Sequence, residues 1–384
     1  MGAIARLLFV AALAVFVASC GRPPALESDK GSDIEIFPLK TIGPLQANAM
    51  LWWVGVKGVR AANAFDCYRV LYPSTDSNGH AIRLSGLLAL PHGRAPRALV
   101  SFQHGTTSNR DLVPSNLSTD GLAAAILFAG NGYAAVAPDY AGLGVSKGPH
   151  PYYVAADTAR AVVDMIHAAR HIRGVPQGPP FLVGFSEGGY ASLAAQRALE
   201  KAHEPVLATA AVAGAYNLRS ISLPWTMKGS SPQASIYLAL WVRGYAARYD
   251  HSLETAFTPH YATLVPRLLD TPSAPEDVQK ALPANPGELF NPLLRAALDG
   301  KSDHWLLHAL AENEMGDWRP AAPVRLYYGA RDVDVPPAEA TTTARLMSAR
   351  GAPVRAVALG PYDHNQSILV AAPLIVRWLE SLSN

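Results

Sequence analysis

The sequence predicts an α/β fold in which a mostly parallel sheet is covered by helices on both faces. Short apolar segments of buried-strand length recur along the first half of the chain, at 98–102, 133–137 and 180–184. Helix-period segments such as 155–170 separate them. Continuous apolar strands are typical of a sheet that is buried on both faces, and alternating strands and helices are typical of parallel connections.

An antiparallel hairpin is predicted ahead of these strands. Segments 65–73 and 81–91 alternate apolar and polar residues, and the turn-forming run Ser-Thr-Asp-Ser-Asn-Gly separates them at 74–79. This pattern predicts two antiparallel strands. We expect the hairpin to lie at an edge of the sheet.

The amino terminus predicts export. Residues 1–19 contain one arginine and then an apolar stretch too short to span a membrane, which is typical of a signal peptide. The segment Val-Ala-Ser-Cys ending at Cys20 resembles a bacterial lipobox, and this resemblance implies lipidation of Cys20 and a membrane anchor. We therefore expect a periplasmic or outer-membrane lipoprotein with a tether over 20–32. An ordinary secretory signal, which would give a secreted protein, is the alternative.

The composition argues against nucleic acid as a partner and against an internal disulfide. The formal net charge is +2 and no basic run interrupts the chain, so nucleic acid is not an expected partner. Only Cys67 is left once Cys20 is lipidated or removed, and the folded part can then form no internal disulfide. The hydrophobic residues, 49% of the chain, supply material for a large core instead.

Metal-binding patterns are weak. Neither C-x-x-C nor H-E-x-x-H occurs in the sequence. His304 and His308 share one face of a predicted helix and could hold a metal, but a solvent-facing helix surface is the preferred interpretation. We predict no metal and no cofactor.

Residues 181–197, FLVGFSEGGYASLAAQR, predict a strand, a sharp turn and a helix. A serine held between strand and helix takes strained backbone angles, and its neighbours must lack side chains to close over it. Gly184 and Gly188 meet that need around Ser186, the predicted nucleophile. Ser146 has the same G-x-S-x-G pattern but neither a strand before it nor a helix after it, so it is rejected.

A predicted oxyanion loop follows the strand at 98–102. The sequence there is Gln-His-Gly-Thr-Thr, at 103–107. The backbone N–H groups of Thr106 and Glu187 would supply two donors to a tetrahedral oxyanion, and His104 and Gly105 would contact substrate. A plain turn at the end of a strand explains the same residues equally well.

A helical lid is predicted over 218–321, because this stretch contains four helix-like segments separated by proline-rich joints. These segments are 233–249, 253–268, 275–282 and 292–310. Its aromatic residues either form an apolar binding wall or pack within the lid; they are Trp225, Tyr237, Trp241, Tyr245, Trp305 and Trp318. Trp241 is included among the candidate substrate contacts. Tyr152 and Tyr153, outside the lid, either line the pocket or cap the core.

The acid and the base are predicted on the last two strands. Asp332 follows the strand at 324–329 at the spacing expected for a triad carboxylate, and it is preferred over Asp334. His364 is the only histidine after Asp332 and lies just past the strand at 354–359, in a loop. The core would then comprise 33–217 and 322–384, with the lid inserted between them.

The order Ser186, Asp332, His364 is that of the α/β-hydrolases. Together with QHGTT, DYAGLG-x-S, HPYY, GFSEGG, GARDVDVP and DHNQS, it makes the chain from about Phe65 onward resemble the secretory lipase family of bacteria and fungi. That resemblance implies an α/β-hydrolase fold with a large helical insert. It also implies hydrolysis of small-molecule or lipid carboxylic esters by Ser186, His364 and Asp332 through an acyl-enzyme.

Two other functions stay open on the sequence alone. A serine aminopeptidase or dipeptidyl peptidase would share the fold and the triad, and Glu312 and Glu314 of the lid could hold a substrate amine, although two residues apart they do not share a helix face. A noncatalytic binding lipoprotein would have no need of a serine at the elbow.

Overall fold

The structure, a computed structural model, describes residues 21–383. The predicted signal peptide, 1–19, and the predicted lipidation site Cys20 lie outside these residues. Within them the chain forms a single nine-stranded sheet with helices on both faces.

The sheet is mostly parallel, as predicted. Its strands are β1 (Glu35–Ile42), β2 (Phe65–Thr75), β3 (Ala81–Pro91), β4 (Leu99–Gln103), β5 (Ala134–Pro138), β6 (Phe181–Phe185), β7 (Ala208–Val212), β8 (Val324–Tyr328) and β9 (Val354–Ala358). They lie in the order β1-β2-β3-β5-β4-β6-β7-β8-β9. β1, β2 and β3 are antiparallel to their neighbours, and the six strands β4 to β9 are parallel to one another. The carboxyl ends of β4 to β8 therefore share one edge.

The predicted hairpin forms from β2 and β3, but the prediction that it lies at the edge is wrong. β1 pairs with β2 on the outer side, from Glu35 opposite Leu71 to Ile42 opposite Phe65. The pairing is irregular between Pro38 and Lys40. A proline and a shifted register are common on edge strands, and they hide the alternation that identifies a strand in sequence.

Helices cover both faces. Those of the core are α1 (Pro44–Val54), α2 (Thr119–Phe128), α3 (Ala155–Arg170), α4 (Glu187–Lys201), α11 (Pro337–Ala349) and α12 (His364–Ser383). The first two and α12 share one apolar cluster with the sheet, and α3, α4 and α11 pack against the other face. Side chains along the strands alternate between the two faces of the sheet, because successive residues of a strand point to opposite faces.

Between β7 and β8 the chain is helical. It forms α5 (Leu223–Thr226), α6 (Ala234–Arg248), α7 (Pro259–Leu269), α8 (Pro275–Ala281), α9 (Pro292–Leu298) and α10 (Trp305–Glu312), with a π-helical turn at Leu218–Ser222. Two segments expected as single helices are divided. The segment 253–268 starts as a short 3-10 turn before α7, and 292–310 is split into α9 and α10 around Gly300, which has a positive φ.

The segment predicted as a tether is held against the body. The carbonyl of Gly21 accepts a hydrogen bond from the Thr41 N–H, and Ser28 forms a β-bridge with Ile172. Thr41 is near the end of β1 that pairs with the start of β2, at the edge opposite the carboxyl ends of the parallel strands. Across 21–383, the helices are too short or too polar to cross a membrane.

Candidate active site

The turn between β6 and α4 is the predicted nucleophile elbow. Ser186 has φ 56° and ψ −120°, a conformation that costs free energy for a residue with a side chain. A Cβ on Gly184 would lie 1.9 Å from the Gly188 carbonyl oxygen, and one on Gly188 would lie 1.9 Å from that of Gln103. Both clashes involve backbone atoms, so the turn requires glycine at both positions.

Ser186, His364 and Asp332 meet at this turn. Ser186 Oγ is 2.9 Å from His364 Nε2, and His364 Nδ1 is 2.7 Å from Asp332 Oδ2. All three residues are buried, with 6%, 6% and 3% of their surface exposed. The structure therefore brings together the nucleophile, base and acid that the sequence predicts.

Local structure fixes the acid and the base. Asp332 follows β8, and its Oδ1 accepts the backbone N–H groups of Asp334 and Val335 at 2.9 and 2.8 Å, which leaves Oδ2 for the imidazole. His364 is the first residue of α12, so its predicted place in a loop is corrected to a helix terminus. The Phe185 ring packs against the imidazole at 4.9 Å between ring centres.

Asp334 has other partners. Its Oδ1 accepts hydrogen bonds from the hydroxyls of Ser231 and Tyr237, both from the helical segment. Ligand atoms of Asp332, Asp334 and His364 lie within 4.8 Å of one another, close enough to hold an ion. Hydrogen bonds within the protein occupy these groups, so this cluster does not call for a metal.

The histidines considered as metal ligands have structural partners instead. His304 Nδ1 accepts the Leu306 N–H at the start of α10, and its Nε2 lies 3.0 Å from the Thr255 carbonyl. His308 Nε2 lies 2.6 Å from an Asp303 carboxylate oxygen. The two rings therefore do not converge on one point.

The loop after β4 lies directly against the elbow. The carbonyl groups of Gln103 and His104 are the atoms nearest to Gly188, on the first turn of α4. Thr106 Oγ1 is 2.8 Å from the Tyr152 hydroxyl, and the Gly105 N–H donates to Asp120 Oδ2 at 2.9 Å. The N–H of Thr106 and that of Glu187 make no hydrogen bond within 21–383, so both remain free to donate to a ligand.

His104 and Gly105, expected to contact substrate, support the loop from within. The His104 ring stacks on Tyr140 with centroids 4.3 Å apart. Its Nδ1 lies 2.7 Å from the Gly105 carbonyl and its Nε2 lies 3.3 Å from the Asp139 carbonyl. Neither residue lines the cavity beside Ser186.

A small cavity of about 20 Å³ adjoins Ser186. It is lined by Tyr152, Tyr153, Ser186, Ala215, Ser222, Thr226, Tyr237, Trp241, Asp334 and Val335. The structure thus places Tyr152, Tyr153 and Trp241 at the cavity, where the sequence left their position open. Sequence reasoning missed Ser222 and Thr226, since nothing in their local pattern separates them from other residues of the helical segment.

A buried ion pair lies behind the elbow, and it was also missed. His150 Nε2 is 2.6 Å from Glu187 Oε1, and both side chains are almost fully enclosed. Burial by itself disfavours the charged imidazole, but the charge of Glu187 and the hydrogen bonds to Glu187 and the Ala141 carbonyl together outweigh burial and raise the pKa of His150. His150 Nδ1 also lies 2.9 Å from the Ala141 carbonyl, so the charged ring donates from both nitrogens. A carboxylate that is buried at the elbow is stabilised by a cationic partner. Glu187, inside the GxSxG segment, was therefore the sequence signal for such a pair.

Comparison with known proteins supports the fold assignment. No family model matches this chain, and no curated protein matches its sequence. Among solved structures, a "putative hydrolase" from Legionella pneumophila is 25% identical with a TM-score of 0.84, covering 91% of this chain and 98% of the other.

Two further structures are similar at lower identity. The rice cell wall degrading esterase LipA from Xanthomonas oryzae, in a ligand-bound form, is 22% identical with a TM-score of 0.77 over 93% of this chain and 98% of its own. Candida antarctica lipase A in its closed state is 14% identical with a TM-score of 0.69 over 93% of this chain and 82% of its own. The chain has the α/β-hydrolase fold.

Proposed function

We propose that the protein is a serine hydrolase that cleaves carboxylic esters through an acyl-enzyme. The observation that carries this proposal is the unbroken chain of hydrogen bonds from Ser186 Oγ through His364 to Asp332. A serine hydroxyl is a weak nucleophile until an adjacent base takes its proton, and the base must be held in one tautomer by a third group. The contacts around His364 meet both requirements.

The reaction follows from these contacts. Ser186 Oγ attacks the acyl carbon while its proton passes to His364 Nε2, and the Asp332 carboxylate stabilises the resulting imidazolium. His364 then gives the proton to the departing alcohol, which leaves an acyl group on Ser186. A water activated by His364 attacks this acyl-enzyme, and the acid is released with Ser186 restored.

The N–H groups of Thr106 and Glu187 would stabilise the oxyanion formed in both steps. Glu187 is the first residue of α4, where the N–H groups have no partner within the helix and carry partial positive charge. Loss of one such donor costs about 3 kcal/mol in the transition state. The position of the loop at 103–107 against Gly188 supports Thr106 as the second donor.

The cavity beside Ser186 limits the size of the acyl group that enters without movement of side chains. Its volume of about 20 Å³ holds about one water molecule, whereas pockets for larger ligands measure hundreds of cubic ångströms. An ester with a long chain would require Trp241 and Tyr237 to move with α6. We propose a small or medium ester as substrate, and membership of the secretory lipase family, on the sequence motifs. The small cavity favours the shorter acyl chains within that range.

A peptidase is less well supported by the contacts. Glu314 Oε1 accepts the backbone N–H groups of Arg219 and Ser220, and Glu312 lies 3.5 Å from the Tyr249 hydroxyl. Neither acid lines the cavity beside Ser186, where a substrate amine would need a counter-charge. Asp334 does line it, but its Oδ1 already accepts hydrogen bonds from Ser231 and Tyr237. We also propose that the protein is exported and anchored through Cys20, on the amino-terminal sequence alone.

Turnover of nitrophenyl esters from acetate to decanoate, measured beside aminoacyl naphthylamides, tests the function. We expect cleavage of the short esters and none of the amides, with activity abolished in Ser186→Ala and with a fluorophosphonate labelling the wild type at Ser186. Ester cleavage that persists in Ser186→Ala would exclude the mechanism. Preferred cleavage of the amides would instead establish the peptidase, and no turnover of either series would favour a noncatalytic binding lipoprotein.

A further inference from the structure

Helix α1 presents an apolar face to solvent. Leu45 is 76% exposed and Trp52 is 73% exposed, both large apolar side chains, and Ala49 between them is also exposed. The spacings of four and three residues place these side chains on one side of the helix. We call this surface the α1 face.

The other side of α1 is also apolar, and it packs into the core through Ala47 and Leu51. Within 44–54 the helix contains no charged residue. A surface helix of a soluble domain usually carries charged residues on its outer side. An exposed tryptophan with leucine and alanine in place of those charges marks an interaction surface.

The chain enters the described structure beside this helix. Gly21 is hydrogen-bonded to Thr41, three residues before Pro44 begins α1. The residues that precede Gly21 include the apolar stretch at 7–18 and Cys20. A lipid attached to Cys20 would therefore enter a bilayer next to the α1 face.

Basic residues near α1 favour a lipid bilayer as the partner of the α1 face. Lys57 and Arg60 follow α1 and are exposed, and Arg22 is exposed at the other side of Gly21. Basic residues beside an apolar face attract the anionic headgroups of lipids, and tryptophan is enriched at the boundary between headgroups and acyl chains.

Helix α1 and Ser186 also lie at opposite ends of the parallel strands. Asn48, in the middle of α1, is hydrogen-bonded to Ala61, and the Ala62 N–H is bonded to Gly130 just before β5. These contacts lie at the edge where the parallel strands begin, whereas Ser186 follows the carboxyl end of β6.

We infer that the α1 face, formed by Leu45, Ala49 and Trp52, docks on an anionic lipid bilayer beside the amino-terminal attachment point. Docked in this way, the protein would turn the cavity at Ser186 toward the aqueous side, and substrate would arrive from solution. The inference rests on the lipid anchor proposed at Cys20 and not on the chemistry proposed for Ser186.

Quenching of tryptophan fluorescence by brominated lipids tests the docking. The full chain would be reconstituted into vesicles of phosphatidylethanolamine and phosphatidylglycerol, with and without bromine on the acyl chains. We expect quenching in the wild type and a smaller quenched fraction in Trp52→Phe, which assigns the signal to the α1 face. Ala49→Glu keeps Trp52 as a reporter but puts a charge on the face, and it should also lose most of the quenching.

The matched control is Thr263→Glu, which adds the same charge at an exposed position of α7 and should quench as the wild type does. Unchanged hydrolysis of a soluble ester by Ala49→Glu would show that this variant folds. Wild type that is not quenched, or quenching that persists in Ala49→Glu, would overturn the inference. So would sedimentation of unquenched wild type as a dimer that Ala49→Glu dissociates, because a second copy would then cover the face.

Discussion

His364 Nδ1 lies 2.7 Å from Asp332 Oδ2, whereas Asp334, only two residues further along the chain, is bonded to the helical segment instead. The difference arises from the turn after β8. Asp332 Oδ1 caps the N–H groups of Asp334 and Val335, which turns the Asp334 side chain away toward Ser231 and Tyr237. The two acids therefore have different partners, the imidazole for Asp332 and the helical segment for Asp334.

The first prediction separates these two acids. Asp332→Asn should lower kcat for a nitrophenyl ester by about 10⁴, because an amide cannot hold the His364 tautomer or stabilise its charged form. Asp334→Asn should keep kcat within about tenfold, since it weakens only contacts to Ser231 and Tyr237. Steady-state kinetics on both variants makes the comparison. Equal loss in the two variants would contradict the assignment of Asp332.

The second prediction concerns the His150–Glu187 pair. Since the pKa of His150 is raised above its ordinary value of 6.5, charging the ring stabilises the fold. This contribution is complete below about pH 6.5, the value that the group has when unfolded, and it is lost as pH rises through the higher pKa of the folded state. Tyr140 and Tyr152 also face the ring, and burial raises the pKa of both, so they stay neutral in this range.

Replacement of His150 tests that pair. His150→Gln should lower the free energy of unfolding by about 3–5 kcal/mol at pH 6, because it leaves the Glu187 carboxylate buried without its partner. The loss should shrink as pH rises, and denaturant unfolding between pH 5 and 9 measures it. His171→Gln, which removes an exposed pair with Asp29, is the control and should show little change at any of these pH values. A loss from His150→Gln that is the same at every pH would be inconsistent with a charged ring.

The sequence predicts the site well where its signals are local. The elbow depends on residues 184–188, which are contiguous, and on steric requirements that only glycine meets. The acid and the base each follow a strand directly, so strand prediction places Ser186, Asp332 and His364 at one edge. Contacts between distant segments are different. His150 and Glu187 are 37 residues apart, and only the packing of the loop before α3 against α4 brings them together.

Strands and helices are likewise predicted from the sequence only where the local pattern is clear. The apolar strands of the parallel sheet are evident from the sequence, but β1 carries Pro38 at an irregular pairing and shows no clean alternation. Apolar residues are spread around helix α1 rather than confined to one side, so it lacks the helical period that identifies α3. Both elements depend on tertiary context, and both were absent from the prediction.

A third prediction tests the steric requirement at the elbow. Gly188→Ala should lower the free energy of unfolding by about 3 kcal/mol or more, because the new Cβ would overlap the Gln103 carbonyl, a backbone atom that cannot move freely. Gly178→Ala is the matched control, since a Cβ there meets nothing within 4 Å. Thermal melting of both variants provides the comparison, and a Gly188→Ala variant as stable as the control would show that the turn differs from the one described.

The last prediction concerns acyl length and the cavity beside Ser186. Trp241 is buried there against Tyr152 and Tyr153, with ring centres 6.3 and 6.0 Å away. Trp241→Leu should enlarge the cavity and shift the highest kcat/KM along the nitrophenyl ester series toward longer chains. Trp241→Leu should lower the free energy of unfolding by less than the roughly 3–5 kcal/mol typical of truncating a buried tryptophan to alanine, because leucine refills part of the space. The indole N–H has no hydrogen-bond partner within 21–383, so its removal breaks no hydrogen bond there. Trp305→Leu changes the same residue type in α10, away from the cavity, and should leave the chain-length preference unaltered. A common shift in both variants would mean that the lid as a whole, rather than Trp241, limits acyl length.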